Sequence, residues 1–261
     1  MRIVTLSSPS IAELFNTIEQ LELGNHRCLF RGQLNYSWRL VPSLYRIKTI
    51  NSFGKSKKEN FDDYESNLID LFFSEGLPYL PKLDRNFYND RILAQHYGVP
   101  TRLLDWTRDP LVATYFAVES GKEDCDAAIF SIFTNTLHLP DRKDLPPVDQ
   151  LSQVVHLNPP AIDRRVPAQK SVFTYHFYGP SEGEFVPIDD REPANVETYC
   201  DGKYPLPAVS KIVIPAKLKL ELLRKLMNIG VDRRNLFPGL EGVGMDVAAR
   251  ARIGNVWCKY I

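Results

Sequence analysis

Residues 93–118 read LAQHYGVPTRLLDWTRDPLVATYFAV, and this stretch decides the fold. Pro100 disfavours the helical basin for Val99 before it, so the chain approaches in an extended form. Residues 101–106, TRLLDW, then read as a short strand. Thr107, Arg108, Asp109 and Pro110 supply the next boundary, with a hydroxyl able to cap a helix and a proline suited to its first turn. Leu111, Val112, Tyr115, Phe116 and Val118 follow at helical spacing as one apolar stripe. The stretch is therefore strand, turn and helix, and it carries more polar groups than such a unit needs in order to fold. Thr101, Leu103, Asp105 and Thr107 fall on one face of the strand, with Arg102, Leu104 and Trp106 on the other. Asp105, set between Leu104 and Trp106, needs partners if buried. It either caps the following helix, pairs with Arg102 or Arg108, or serves a ligand site, and one aspartate can do two of these.

Outward from this centre, residues 1–6 read as a strand and residues 8–23 as an amphipathic helix with Ile11, Leu14, Phe15, Ile18 and Leu21 on one face. Residues 26–33 form a strand, residues 38–45 an extended segment broken by Pro42, and residues 51–60 a polar loop. Helices are expected over 61–75 and 89–97. Beyond the central stretch, residues 126–133 read as a buried strand and 139–160, with five prolines, as a long surface excursion. Residues 171–178 and 211–215 are strand-like, the segment between them is loop-rich, and residues 218–229 form a helix closed by Gly230.

The 261 residues carry 32 Lys and Arg against 32 Asp and Glu, so no overall charge argues for sequence-independent binding of nucleic acid. Cys28, Cys125, Cys200 and Cys258 show no paired spacing, and His26, His138, His156 and His176 show none with them, so no metal is expected. Reduced thiols, no apolar run near the length of a membrane span and no targeting pattern at residues 1–21 give the expectation of a cytoplasmic protein.

Three places carry candidate chemistry. In Phe30-Arg31-Gly32-Gln33, at a strand end, the glycine lets the backbone approach a ligand and the arginine offers a donor fork to a diphosphate or carboxylate, or else pairs with an acidic neighbour. The central stretch adds His96, Thr101, Arg102, Asp105 and Thr107. Gln169, before the strand at 171–178, either bonds a ribose hydroxyl or satisfies backbone groups in a turn.

FRGQ at 30–33, WRLVPSLYR at 38–46, QHYGVPTRLLDWTRDPLVATYFA at 95–117, RRVPAQKSVFTYH at 164–176, and KIVIP with NLFPGLEG near the end together strongly resemble the FRG domain family. With no internal repeat and no convincing linker, a single α+β domain over residues 1–261 is expected, and the resemblance puts its motif core at about 26–240. The order of elements is also similar to that of ADP-ribosyltransferases, which implies an α+β fold whose mixed sheet is split and flanked by helices. In those enzymes an Arg, a Ser-Thr-Ser-like triplet and a Glu surround the nicotinamide end of NAD. By position Arg31 matches the first, Asp105-Trp106-Thr107 the triplet and Gln169 the Glu. Gln169 departs from the pattern, since an amide is no base, and Asp105 supplies a carboxylate from the neighbouring position.

The resemblance thus implies a nucleotide cleft with NAD as substrate, for ADP-ribosyl transfer or NAD hydrolysis. Arg31, Asp105, Thr107 and Gln169 form its catalytic set, and Arg31, Gly32, His96, Thr101 and Arg102 its binding set. The acceptor is water, protein or nucleic acid, and neither a metal nor a membrane enters. The alternative is a module that binds a nucleotide or a protein without turnover, in the prokaryotic stress or phage-defence setting that the family resemblance allows.

Overall fold

The computed structural model describes residues 1–21, 28–48, 57–81, 83–122, 124–134, 154–178, 185–190 and 209–254. The strands are β1 (Arg2–Thr5), β2 (Cys28–Gln33), β3 (Leu103–Thr107), β4 (Ala127–Phe133), β5 (Val155–Leu157), β6 (Ser171–Tyr175) and β7 (Val209–Ile214). The helices are α1 (Ile11–Gln20), α2 (Lys57–Gly76), α3 (Phe87–His96), α4 (Pro110–Val118), α5 (Arg165–Ala168), α6 (Lys219–Asn228), α7 (Arg233–Leu236) and α8 (Leu240–Arg252).

The seven strands form one mixed sheet in the order β1-β7-β4-β2-β3-β6-β5. Only β1 and β7 run parallel, and every other neighbouring pair is antiparallel. At its centre the sheet is held together by a single β2–β3 rung, Phe30 opposite Thr107. β2 instead pairs over its whole length with β4, and β3 over its whole length with β6.

Alternation along β2 sends Phe30 into a core under α1, α4 and α6, with Leu14, Tyr115, Ile129, Ile212 and Leu222. Leu29 points the other way and packs with Leu40, Leu104, Trp106, Phe130 and Val172. Helix α4 lies in the middle of the first core. Val112, Ala113, Thr114, Tyr115, Ala117 and Val118 are all buried, so the single stripe expected of it is a burial on nearly every side. Gly32 makes this possible. A Cβ at Gly32 would sit 1.9 Å from the main-chain oxygen of Ala113 and 2.6 Å from the nitrogen of Ala117. The space its missing side chain leaves is taken by a helix backbone, not by a ligand.

Several expectations change. The helix after the central strand is capped by Asp109, whose side chain accepts from the amide of Leu111 at 2.9 Å, with Pro110 in its first turn. Thr107 belongs to the strand. Its Oγ1 donates to the main-chain oxygen of Gln169 at 2.7 Å and accepts from the amide of Asp109 at 3.0 Å. The strand itself begins at Leu103 instead of Thr101. The amide of Thr101 donates to Ser43 Oγ at 3.1 Å and that of Arg102 to Glu65 Oε1 at 2.9 Å, so side chains take the bonds a ladder would need.

Lys57 to Asn60, expected in a loop, open α2, while the rest of that tract lies outside the described residues. Within the expected surface excursion, Val155–Leu157 is a buried strand paired with β6, and residues 135–153 are outside the described set. Residues 38–45 end in a 3-10 turn over Leu44–Arg46. His26, His138, Cys200 and Cys258 also lie outside the described residues. Among the described residues no helix is long and apolar enough to cross a membrane.

Candidate ligand cleft

The sheet opens where the β2–β3 ladder stops. Past the rung at Phe30 and Thr107, no further β2–β3 pair forms among the described residues. Side chains fill the widening gap. Arg31 Nη1 donates to the main-chain oxygen of Asp105 at 2.6 Å and lies 3.5 Å from its Oδ2. Gln95, near the end of α3, points its amide nitrogen at both Asp105 carboxylate oxygens, 3.1 Å from each. The Thr101 hydroxyl donates to Gln95 Oε1, which fixes that amide's orientation. The relay Thr101, Gln95, Asp105, Arg31 thus does across the gap what main-chain bonds do elsewhere.

The gap leads into a cleft of about 770 Å³, within the range of roughly 300–1,000 Å³ usual for small-molecule sites. Both faces of β2 contribute, Phe30 and Gly32 from one and Arg31 and Gln33 from the other. Aromatic walls come from Trp38, Phe116, Phe173 and Phe237. Four arginines, Arg31, Arg39, Arg46 and Arg165, face two carboxylates, Asp105 and Glu119. Glu119 is held by Arg233 at 2.8 Å, and Arg39 by Asp189 at 3.0 Å and by Asp190. Among the described residues no carboxylate pairs with Arg46, and Arg31 Nε is buried without a partner. Burial pulls the Arg31 guanidinium below the usual arginine range, the Asp105 carboxylate opposes this, and Arg46 adds like-charge repulsion. Arg46 without a carboxylate and Arg31 Nε without an acceptor therefore leave unused donors at the cleft, which suits an anion.

Of the residues singled out in the sequence, Arg31, Gly32, His96, Asp105, Thr107 and Gln169 line this one cleft. Asp105 is exposed, its side chain 58% accessible beside that of Arg31 at 22%. Thr107 spends its hydroxyl on the turn before α4, and Gln169 donates from Nε2 to the main-chain oxygen of Leu236 at 3.0 Å, away from Asp105. His96 Nε2 lies 3.3 Å from Asp163 Oδ2, and Asp163 Oδ1 accepts from the amide of Arg165 at 2.7 Å. This fixed carboxylate is an orienting partner for the imidazole.

Thr101 and Arg102 do not line the cleft. Thr101 is fully buried and acts through Gln95. Arg102 is 3% exposed and pairs with Asp62 and with Glu65, 3.2 Å from its Nε. Glu65 also holds Arg91 at 2.8 Å, and its carboxylate is itself fully buried. Burial first, then the Glu65 charge, pushes the neighbouring Tyr175 phenol up. This cluster ties α2 and α3 to the entry of β3, so Arg102 supports the cleft from behind.

Gln95, Trp38, Arg46 and Asp163 join the site with no role predicted for them from sequence. Trp38, Arg46 and Gln95 stand inside the quoted motifs, whereas Glu65 and Asp163 carry no local signal. Burial pushes the Cys28 thiol up to about 12, away from the thiolate form. Among the described residues no group of three or more His, Cys, Asp and Glu could hold a metal ion.

No curated protein and no solved structure matches the chain. Residues 26–126, which hold β2, α2, α3, β3 and α4 and with them Arg31, Gln95 and Asp105, match the family model described as FRG domain.

Proposed function

We propose that the cleft binds a nucleotide through its diphosphate, with NAD as the substrate and the bond between nicotinamide and ribose as the one cleaved. The observation that carries this reading is the meeting of Arg31 and Asp105 where the central ladder stops, at the mouth of a cleft that also holds the unpaired Arg46. Arg31, with Arg46 nearby, takes the phosphate charge through a guanidinium fork. Asp105 faces the ribose and stabilises the oxocarbenium-like charge that grows as the glycosidic bond breaks. It is suited to this by being exposed and yet held by Arg31 and Gln95, so little reorganisation is needed during reaction. The likeness to ADP-ribosyltransferases enters here as well, because a sheet joined by one rung comes near the split sheet which that likeness implies. The acceptor is water, a protein or a nucleic acid.

A second reading is favoured by Gln169. The position that a Glu takes in ADP-ribosyltransferases here holds an amide whose donor is committed to Leu236. On that reading the domain binds a nucleotide or a protein without turnover, in prokaryotic stress or phage defence.

Incubation of the purified protein with NAD labelled in its nicotinamide ring, and in parallel with NAD labelled in its ADP-ribose half, each with and without cell extract, separates the two. Released nicotinamide supports cleavage, and label in the ADP-ribose half on macromolecules identifies transfer. Binding by calorimetry with no release supports the module, and neither binding nor release removes the nucleotide reading.

A further inference from the structure

Trp38 is an exposed indole on a rigid support. It is 53% accessible and lines the cleft, whereas Trp106, 3% accessible, donates from its indole nitrogen to Thr174 at 2.7 Å inside the core. Among the described residues Trp38 makes no ring stack and no cation contact. The turn that carries it is clamped on both sides. Before it, Asn35 Oδ1 accepts from the amide and hydroxyl of Ser37 at 2.9 and 2.7 Å, and the amide of Tyr36 donates to the main-chain oxygen of Asp126 at 2.8 Å. After it, Asp189 holds Arg39 at 3.0 Å and the amide of the fully buried Leu40 at 3.1 Å. These bonds fix the turn, so the exposed indole is held on the cleft wall.

We propose that Trp38 is the stacking platform for the base of a purine nucleoside diphosphate whose phosphates lie at Arg31 and Arg46. This rests on the nucleotide reading and deepens it by naming which part of the molecule meets which wall. An indole in one wall and unpaired guanidinium donors in another, within one cleft, answer the two parts of such a molecule, its flat π-face and its anionic tail. The fixed turn means that little freedom is lost when the base stacks.

The test compares ADP with ribose 5-phosphate, which keeps phosphate and sugar and lacks the base. Calorimetry is run on the full chain, on Trp38→Leu and on Trp38→Phe, each checked for folding by circular dichroism. Trp38→Leu is expected to weaken ADP binding by roughly 5- to 150-fold and leave ribose 5-phosphate unchanged, while Trp38→Phe recovers most of the ADP affinity. In the unsubstituted protein, ADP is expected to shield fluorescence from acrylamide quenching, and ribose 5-phosphate to leave it unchanged. Unchanged ADP affinity in Trp38→Leu, or no shielding by bound ADP, overturns the platform and leaves nucleotide binding standing, with Trp38 then free to anchor a protein partner. Failure of the unsubstituted protein to bind ADP overturns both.

Discussion

Arg31 Nη1 lies 2.6 Å from the main-chain oxygen of Asp105, a contact that joins β2 to β3 across 74 positions of sequence. The two strands share only one rung, so this guanidinium is both a structural bridge and the nearest cation to the Asp105 carboxylate. That double duty shapes what substitution does. Removing Arg31 would free a carbonyl and a carboxylate together, whereas changing only the Asp105 side chain leaves the bridge to its backbone in place.

Asp105→Asn therefore isolates the charge. The variant keeps the 2.6 Å main-chain contact and should fold with its Tm close to that of the parent. If nicotinamide is released, its rate should fall by about 100-fold or more with ADP affinity little altered, as expected of a group acting in the transition state. Single-turnover release and calorimetry measure the two quantities. A rate that falls only in step with affinity removes Asp105 from the chemistry.

Gly32→Ala should damage the fold, not only the cleft. The added methyl would lie 1.9 Å from the oxygen of Ala113, a backbone atom that cannot swing aside. We expect a loss of about 3 kcal/mol, at the upper end of overpacking in a filled core. Urea unfolding followed by circular dichroism checks it, and a stability equal to the parent would show that α4 can shift away from β2.

Glu65→Ala strands one cation and weakens the hold on a second. Arg91, 6% exposed, loses its carboxylate, and Arg102, 3% exposed, keeps Asp62 alone. Breaking a buried pair from one side typically costs about 3–5 kcal/mol. Chemical denaturation should report a loss of that order, and ADP binding should fail with it because the entry to β3 is no longer held.

His156 gives a dependence on pH. Among the described residues neither ring nitrogen has a hydrogen-bond partner, and burial, then the Arg108 charge, pulls the imidazole below its usual 6.5. Below about pH 6.5 the unfolded chain consequently binds more protons than the folded one, so stability rises with pH through this window. The contribution is complete above 6.5 and is lost as pH falls through the folded value. Thermal unfolding from pH 7.5 to 5 should show a steeper fall in Tm for the parent than for His156→Leu, and parallel curves would exclude His156 as the cause.

Gln169→Glu should lower stability, since it sets an acceptor against the oxygen of Leu236 where a donor now lies 3.0 Å away. A loss of about 1–3 kcal/mol is expected for the unsatisfied group, measured by urea unfolding.

Local chemistry along the chain determined much of this protein. Pro100 and Pro110, the run LLDW and the apolar spacing after it determine a strand, a turn and a helix, because each of these rests on backbone preference and periodicity within a few residues. The polar surplus of the same stretch marked His96, Asp105 and Thr107, and the tripeptide at 30–32 marked Arg31, all of which line the cleft. Tertiary structure decided the rest. Arg102 stands between Thr101 and Leu103 like any strand residue, and only the distant Glu65 draws it into the core. Gly32 looks like a place for a ligand to approach, and only the packing of α4 fills it. Val155–Leu157 is too short for alternation to be legible, and its pairing with β6 makes it a strand. Trp38 and Arg46 acquire meaning from the cleft they share with Arg31, since charge pairing and exposure belong to a surface assembled from segments far apart in the chain. Side-chain identity sets what a residue can do, while the neighbours that burial and long-range pairing bring to it set what it does.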